Sequence, residues 1–430
     1  MPQAPIITPS ATSPGNLAQP RLKILSRVPA ISFALLLAGG LCGFVTGKKF
    51  GFDEAADRRR QLPNGSILCA PGPWGDLSYT PFTIAAPDVM IPVRKLEQHG
   101  THWLFKGYTS DSFVTLLQST NLTPDQQHAF LDPTVFSVQP NGVMITPGPD
   151  LVFSIPADAR AKLYQILAQF PENESEFHFI HKDTLEDRFS NSGVAVGTLA
   201  LFKELSCESG NYYVFSGLPA LLSKLPTYPE KLQFVKALTR QRTMLLRLHI
   251  TPKSDVAALT EYWGKGCWDT DVGTIIQSLT VIPTGTWMNI LMVLPPLPTA
   301  QIYNYPTIAD NPLEGPPVNR DCHWTSFNFF RDTPDPNFGK ADYVLNELKE
   351  NYYPPPGDPR YGDIVVFSKP DGSIIHSAVY IADDICFTKN GSTVIYPWML
   401  ASISELLDQY SFKVPPDQKL TVSYFRDKRM

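Results

Sequence analysis

Cysteine is scarce in this chain, and no two cysteines lie close enough together to form a metal-binding or redox pair. The six residues are Cys42, Cys69, Cys207, Cys267, Cys322 and Cys386. None of their separations matches the short spacing of zinc ribbons and fingers. Nor does a chain of this length resemble the small secreted domains that depend on a dense disulfide framework. The sequence does not exclude one or two disulfide bonds.

The chain also lacks a block of basic residues. Its net charge is −5 at pH 7, and 18% of its residues are charged. Proteins that bind nucleic acids usually carry a basic patch or stripe that contacts the phosphates. We therefore expect no nucleic-acid partner, and no motif in the sequence implies a cofactor or a metal ion.

Apolar residues and proline are abundant instead. Hydrophobic residues make up 43% of the 430 residues, and 41 residues are proline, about twice the usual proportion. A chain of this length holds about two or three domains. We predict an α+β protein with a disordered tail over residues 1–27, a transmembrane helix over residues 28–47, a mixed, largely helical domain over residues 63–298 and a further domain over residues 304–426.

The predicted transmembrane helix rests on twenty consecutive uncharged residues, VPAISFALLLAGGLCGFVTG, which end at Lys48 and Lys49. As an α-helix this stretch is ~30 Å long, which matches the hydrocarbon core of a bilayer. A buried soluble helix and a cleavable signal peptide are the alternatives. We favour an uncleaved anchor. The basic residues after the span favour a cytoplasmic C-terminal side, although long domains cross membranes largely regardless of such charges.

The middle region contains several segments of helical periodicity but no recognisable chemical motif. Helices are predicted over residues 157–170, 194–208, 229–240 and 254–263, and a buried strand over residues 243–250. His178 and His181 are three residues apart, a spacing that would place both on one face of a helix beside several carboxylates. Such a pair can belong to a metal site, but a charged surface element explains pairs of this kind more often. The role of the middle region is not readable from the sequence.

The C-terminal region begins with a cysteine at a predicted helix start. Asp321 is a favourable N-cap residue, which leaves Cys322 in the first turn of the helix. A thiol at a helix N-terminus has its thiolate favoured by the helix dipole. Cys322 is therefore a candidate nucleophile.

Three short strands are predicted after this helix. They cover residues 364–367, 374–382 and 385–388, and a Pro-Asp-Gly turn separates the first two. His376 lies near the start of the second strand. The expected arrangement is a helix that carries a cysteine, packed against an antiparallel sheet that carries a histidine.

These elements resemble the NlpC/P60 superfamily of papain-like cysteine peptidases. The resemblance rests on Asp321-Cys322, on Gly-Asp-Ile-Val-Val-Phe at residues 362–367, and on His-Ser-Ala-Val-Tyr-Ile at residues 376–381. It covers residues 304–426 and implies a papain-like fold that hydrolyses an amide, typically in peptidoglycan stem peptides of the bacterial cell wall. Cys322 would then attack the carbonyl carbon, and His376 would accept and return the proton. The backbone N–H of Cys322 can hold the oxyanion.

A peptidoglycan substrate would require the C-terminal domains to lie outside the cytoplasm. We therefore predict a single-pass protein of the cell membrane, held through residues 28–47, with these domains in the periplasm or outside the cell. The oligomeric state is not determined by the sequence.

The chain departs from the family pattern in two places. His323 and Trp324 follow the cysteine where many members have serine and glycine, and His323 is expected to shape the cleft rather than act as the base. The third residue, which orients the histidine, is expected to be Asn390 because of its chemistry. Thr388 is the rival because it fits the spacing better.

Two other functions remain open on this evidence. The first is a catalytically inactive NlpC/P60-like binding or scaffold protein at the membrane, which the unusual Cys-His-Trp sequence suggests. The second is an acyltransferase or deamidase, which would use the same thiol and share the first half-reaction. Cys386 lies on a predicted strand and is expected to be a core residue.

Overall fold

The protein is described by a computed structural model that covers residues 61–62, 64–182, 185–267, 271–306, 320–411, 413–415 and 417–429. All of these residues belong to one compact unit of the chain. Within them the chain forms sixteen strands. In chain order these are β1 (Ile67–Leu68), β2 (Leu77–Ile84), β3 (Trp103–Lys106), β4 (Phe136–Gln139), β5 (Gly142–Ile145), β6 (His178–His181), β7 (Ser206–Ser209), β8 (Tyr212–Phe215), β9 (Gln241–Ile250), β10 (Thr286–Asn289), β11 (Tyr352–Tyr353), β12 (Ile364–Ser368), β13 (Ile374–Ala382), β14 (Ile385–Lys389), β15 (Trp398–Ser402) and β16 (Thr421–Asp427).

The described residues also form fifteen α-helices, most of them short. In chain order these are α1 (Val93–His99), α2 (Ser110–Gln118), α3 (Pro124–Phe130), α4 (Pro149–Ser154), α5 (Ala157–Leu167), α6 (Leu185–Phe189), α7 (Val196–Leu205), α8 (Leu218–Ser223), α9 (Tyr228–Leu238), α10 (Val256–Trp263), α11 (Val272–Leu279), α12 (Pro296–Gln301), α13 (Cys322–Phe327), α14 (Ala341–Asn351) and α15 (Ile403–Ser411). Side chains cap many of them: Thr109 and Thr123, for example, form reciprocal capping boxes at the starts of α2 and α3.

The strands assemble into four sheets, and every pairing between these strands is antiparallel. One sheet has the order β1-β2-β9-β10, and two three-stranded sheets have the orders β3-β5-β4 and β6-β8-β7. The largest, which we call the C-terminal sheet, has the order β11-β16-β12-β13-β14-β15. Its inner strands β12 and β14 are buried along nearly their whole length because both faces of the sheet are covered.

Two hydrophobic cores hold the described residues together. The first core surrounds the C-terminal sheet and includes Phe387 and Leu400 of that sheet together with Leu246 of β9 and Trp263 of α10. It therefore contains residues from both sides of the predicted boundary near residue 300. The second core lies within residues 86–238 and receives Ile395 from the connection between β14 and β15.

The predicted fold class is wrong for the middle region, which is not largely helical. Three antiparallel sheets lie in the part of the chain before residue 290. The predicted helix over residues 194–208 shows the reason, because α7 ends at Leu205 and the next four residues become strand β7 by pairing with β8. The hairpin that β7 forms with β8 overrides the local helical pattern. The predicted strand over residues 243–250 is confirmed and forms most of β9.

The prediction of a transmembrane helix is also corrected. Among the residues that the structure describes, no helix is long and apolar enough to span a bilayer. The longest described helices have eleven residues, whereas a span needs about 20. This finding overturns both the fold class with a membrane helix and the expected single-pass location in the cell membrane. Residues 28–47 and the predicted tail over residues 1–27 lie outside the described residues.

Candidate active site

Cys322 is the first residue of α13, as the sequence predicts. The Asp321 carboxylate accepts a hydrogen bond from the Trp324 N–H at 2.9 Å and so caps the helix. Cys322 is buried, with 6% of its surface exposed. Because α13 has only six residues, under two turns, its dipole is a smaller influence than the sequence suggests. The thiol must be activated mainly by neighbouring side chains.

His376 is fully buried on β13 and is held on two sides. The ring of Tyr410 stacks on the imidazole with ring centres 4.4 Å apart. On one edge, Nε2 lies 3.0 Å from Oγ1 of Thr388. That hydroxyl donates its own proton to the backbone oxygen of Ser377 at 3.3 Å, so it accepts from Nε2–H. This fixes the tautomer and leaves Nδ1 unprotonated.

The Cys322 thiol interacts with the imidazoles of both His376 and His323. Burial raises the pKa of the thiol, but the two imidazoles oppose burial more strongly and hold this pKa well below its usual range. Nδ1 of His376 has no hydrogen-bond partner of standard geometry among the described residues. It is therefore the nitrogen available to the sulfur, and a loose contact of this kind is common in sites without substrate.

The other buried cysteines show the opposite behaviour. Burial raises the pKa of Cys207 to about 11, that of Cys267 to about 11, and that of Cys386 well above the ordinary value. Cys386 is fully buried in the first core, as the sequence predicts. Among the buried cysteines that the structure describes, Cys322 alone has its thiolate favoured by its surroundings.

His323 was predicted to shape the cleft, but the structure places it at the sulfur. Its Nδ1 lies 2.9 Å from the Ser377 hydroxyl. This hydroxyl donates to Ser326 at 3.2 Å, and Ser326 donates to the backbone oxygen of Cys322 at 2.8 Å. The Ser377 oxygen therefore accepts from Nδ1–H of His323, and Nε2 is the nitrogen that can accept from the thiol. The sequence contained one signal for this contact, since His323 directly follows Cys322.

The prediction of Asn390 as the residue that orients His376 is corrected to Thr388. Thr388 lies inside β14, where pairing with Met399 of β15 fixes its position. Asn390 follows the last residue of β14, and its Oδ1 has no hydrogen-bond partner among the described residues. The rival residue is thus the one in contact with the imidazole, since a strand interior is positioned more firmly than a loop start.

The Gly-Asp pair before β12 has a structural role. Gly362 has a φ of +90°, and an added Cβ would lie 2.4 Å from the Phe330 ring, so only glycine fits. The buried Asp363 carboxylate accepts two hydrogen bonds from Arg426, at 2.8 and 2.7 Å, and one from the Arg360 N–H. This pair sets the start of β12, which is the neighbour of the His376 strand.

The paired histidines of the middle region do not form a metal site. His178 and His181 lie on β6 rather than on a helix, and residues three apart on a strand point to opposite faces. His178 is buried, with 8% of its surface exposed. Within the described residues there is no cluster of three or more histidine, cysteine, aspartate or glutamate side chains with metal-binding geometry.

The Cys322 backbone N–H lies at the start of α13, beside the thiol. As the first N–H of α13 it has no acceptor within the helix, and it makes no hydrogen bond within the described part of the chain. The Asp321 carboxylate accepts from the N–H groups of His323 and Trp324, not from that of Cys322. The geometry thus combines a nucleophile of lowered pKa, an oriented base and a free donor beside the nucleophile.

Comparisons of the chain with protein-family models, with curated proteins and with solved structures find no match.

Proposed function

We propose that the protein is a cysteine hydrolase that cleaves an amide bond through a thioester intermediate. The observation that carries this proposal is the Cys322 thiol, which lies between two imidazoles that lower its pKa. Of these, His376 is oriented by Thr388 at 3.0 Å. Nucleophile, base and orienting group are the three parts that thiol catalysis needs.

In the first half-reaction the Cys322 thiolate attacks the carbonyl carbon and forms a C–S bond. The oxygen gains the negative charge, which the Cys322 N–H stabilises. The His376 imidazolium then gives its Nδ1 proton to the leaving nitrogen, and the C–N bond breaks. An acyl thioester and a free amine result.

In the second half-reaction His376 takes a proton from water, and the hydroxide attacks the thioester carbonyl. The C–S bond breaks, the acid leaves, and Cys322 returns as a thiolate beside the imidazolium. His376 is the better base of the two histidines, because a hydrogen bond to Thr388 and the Tyr410 ring fix its position. His323 favours the thiolate electrostatically.

The resemblance to NlpC/P60 peptidases supports a peptide as the substrate and peptidoglycan stem peptides as the first class to examine. A thioester can also pass its acyl group to another acceptor. Hydrolysis in ¹⁸O-labelled water separates the two outcomes: a hydrolase places one labelled oxygen in the released acid, whereas an acyltransferase yields an unlabelled acyl product.

Thiol reactivity tests the catalytic proposal without knowledge of the substrate. Below the pH at which ordinary cysteines ionise, iodoacetamide should alkylate Cys322 much faster than Cys207 and Cys267, because neighbouring imidazoles lower the pKa of the first thiol and burial raises the pKa of the other two. Peptide mapping by mass spectrometry gives the rate at each site. The variants His376→Asn and His323→Asn should move the Cys322 profile towards higher pH.

A matched control for these variants is His128→Asn, which removes an imidazole on α3, far from the thiol in sequence and fold. It should leave the alkylation profile unchanged. If Cys322 in the native protein reacts no faster than Cys207 and Cys267 at any pH, the hydrolase proposal fails. A non-catalytic binding role then becomes the better account.

A further inference from the structure

A cavity of about 430 Å³ lies beside the candidate active site. Strand β6 and helices α6 and α9 form one side, and the connection between β14 and β15 together with α15 forms the other. Phe177, Tyr212 and Tyr396 supply aromatic surface. A volume of this size is typical of pockets for small molecules.

Arg188 lines this cavity without a carboxylate partner. It is buried, with 8% of its surface exposed, and Nη1 donates to the backbone oxygen of Leu238 at 2.8 Å. No acidic side chain among the described residues pairs with it. Burial lowers the pKa of the guanidinium to about 10, which still leaves it charged near neutral pH. A buried cation without an anionic partner is unfavourable. The charge of Arg188 therefore favours binding of an anion in the cavity.

The two acidic side chains at the cavity wall are already neutralised. Glu172 pairs with Lys106, and Glu405 pairs with Arg242 at 3.3 Å. His178 is uncharged near neutral pH, because burial and the nearby Arg188 lower its pKa to about 4. The cavity therefore combines aromatic walls with a net positive charge, which suits an anion that carries an apolar body.

The cavity also adjoins the catalytic histidine. Tyr410 forms part of its wall and stacks on the His376 ring at 4.4 Å. Met399, another wall residue, pairs directly with Thr388 in the sheet. Cys322 itself is not part of the wall.

We propose that this cavity binds the carboxylate of a peptide-like molecule and that Arg188 makes the ion pair with it. An Arg guanidinium matches a carboxylate with two parallel hydrogen bonds. The proposal that a carboxylate binds here depends only on the cavity and Arg188. That the bound molecule is part of the hydrolase substrate rests on the proposed function above. In that case the substrate is an amide that carries a free carboxylate remote from the cleaved bond.

Calorimetry with a matched pair of probes tests the binding. The probes are N-acetylphenylalanine and its primary amide, which differ only in the carboxylate, and the protein is the full chain with Cys322→Ser to prevent turnover. We expect the acid to bind at least about tenfold more tightly than the amide. Arg188→Met should remove this difference, and Arg188→Lys should reduce it because lysine cannot bind two oxygens in the same way.

Arg94→Met is the charge control, since Arg94 is exposed over the Tyr228 ring and outside the cavity. It should bind like the parent protein. Thermal unfolding checks that Arg188→Met folds, and Arg188→Lys decides the matter if it does not. Equal affinity for acid and amide, no binding of either, or an unchanged preference in the folded Arg188→Met or Arg188→Lys variant would overturn the proposal. Inorganic phosphate that displaces the acid at equal concentration would overturn the carboxylate assignment.

The two proposals fail in different ways. If the acid binds through Arg188 but the native protein shows no reactive Cys322, the binding site stands and the hydrolase does not. If Cys322 is reactive and the acid does not bind, the hydrolase stands and its substrate lacks the carboxylate.

Discussion

At the scale of single residues, the surroundings of a side chain decide its chemistry. Cys322 and Cys386 are both buried in the same C-terminal region, yet their pKa values move in opposite directions. Two imidazoles lie beside one sulfur, and a carboxylate lies near the other. Burial alone disfavours every thiolate, so the neighbouring charges determine which cysteine is reactive.

Thr388→Val tests the orienting role of the threonine. Valine has nearly the same shape but cannot accept from Nε2–H of His376, so the imidazole loses its fixed tautomer. A hydrogen bond of this kind is worth about 1 kcal/mol, and the apparent pKa of Cys322 alkylation should rise by roughly half a unit to one unit. Asn390→Ala is the matched control and should leave the profile unchanged. The reverse pattern would restore Asn390 as the third residue.

Glu176→Gln tests a second buried ionisable group, in the middle region. Burial raises the pKa of Glu176 to about 7, and His99 lies 3.9 Å away. The Glu176 carboxyl binds its proton more tightly in the folded state than in the unfolded state. The contribution of the protonated Glu176 to stability is therefore lost as pH rises from about 4.5 to about 7. The glutamine variant lacks this loss. It should be more stable than the parent at pH 8 by up to about 3 kcal/mol, and nearly equal at low pH.

Urea unfolding at about pH 5 and about pH 8 measures this difference. Glu172→Gln is a suitable control because that carboxylate is more exposed and paired with Lys106. A Glu176→Gln effect of the same size at both pH values would contradict the assigned shift.

At the scale of secondary structure elements, the ion pair between Asp363 and Arg426 ties the start of β12 to the end of β16. The Asp363 side chain is 2% exposed and that of Arg426 is 16% exposed. The two strands pair along their whole length, and β12 in turn pairs with the strand of His376. This ion pair therefore helps to position β12 and, through it, the strand that carries His376.

Arg426→Met should destabilise the protein by about 3–5 kcal/mol, because it leaves the Asp363 carboxylate buried without its cation. Chemical denaturation with a folding signal from tryptophan fluorescence gives the value. Arg429→Met removes a neighbouring cation that is 50% exposed and paired with Asp427, and it should cost less than about 1 kcal/mol. Similar losses in the two variants would show that the buried pair has no special role.

At the scale of the whole molecule, the C-terminal sheet depends on the middle region. Thr243 of β9 donates to the backbone oxygen of Leu400 at 2.9 Å, and Tyr262 of α10 donates to that of Ile381 at 2.8 Å. Leu246 and Trp263 complete the first core from the same side. The resemblance to a hydrolase domain covers residues 304–426, but the core around that domain extends well outside them.

A fragment of residues 304–430 should therefore fail to fold cooperatively. Removal of β9 and α10 exposes apolar residues of the first core, which drives aggregation. A chain of residues 61–430 is the control and should unfold in a cooperative transition. Near-ultraviolet circular dichroism during heating, together with binding of a hydrophobic dye, compares the two. A fragment with a sharp transition and no dye binding would show that the sheet is independent.

The comparison between sequence and structure follows the same scales. The local features around the site were predictable: Asp321 caps α13, and the strand that follows Gly-Asp and the strand of His376 begin where the pattern places them. The predicted helices over residues 157–170, 229–240 and 254–263 are present within a few residues at each end. Each of these depends on residues close together in the chain.

Features that depend on contacts between distant segments were not predictable. The three sheets of the middle region, the choice of Thr388 over Asn390 and the position of His323 each follow from packing between strands and helices far apart in sequence. Arg188 and residues of the C-terminal region such as Tyr396 line the same cavity. The sequence by itself determined the helix that begins at Cys322 and the strand that carries His376, because capping and alternation are local. Only the tertiary structure decided which side chains surround them, because burial and pairing between distant residues have no local pattern.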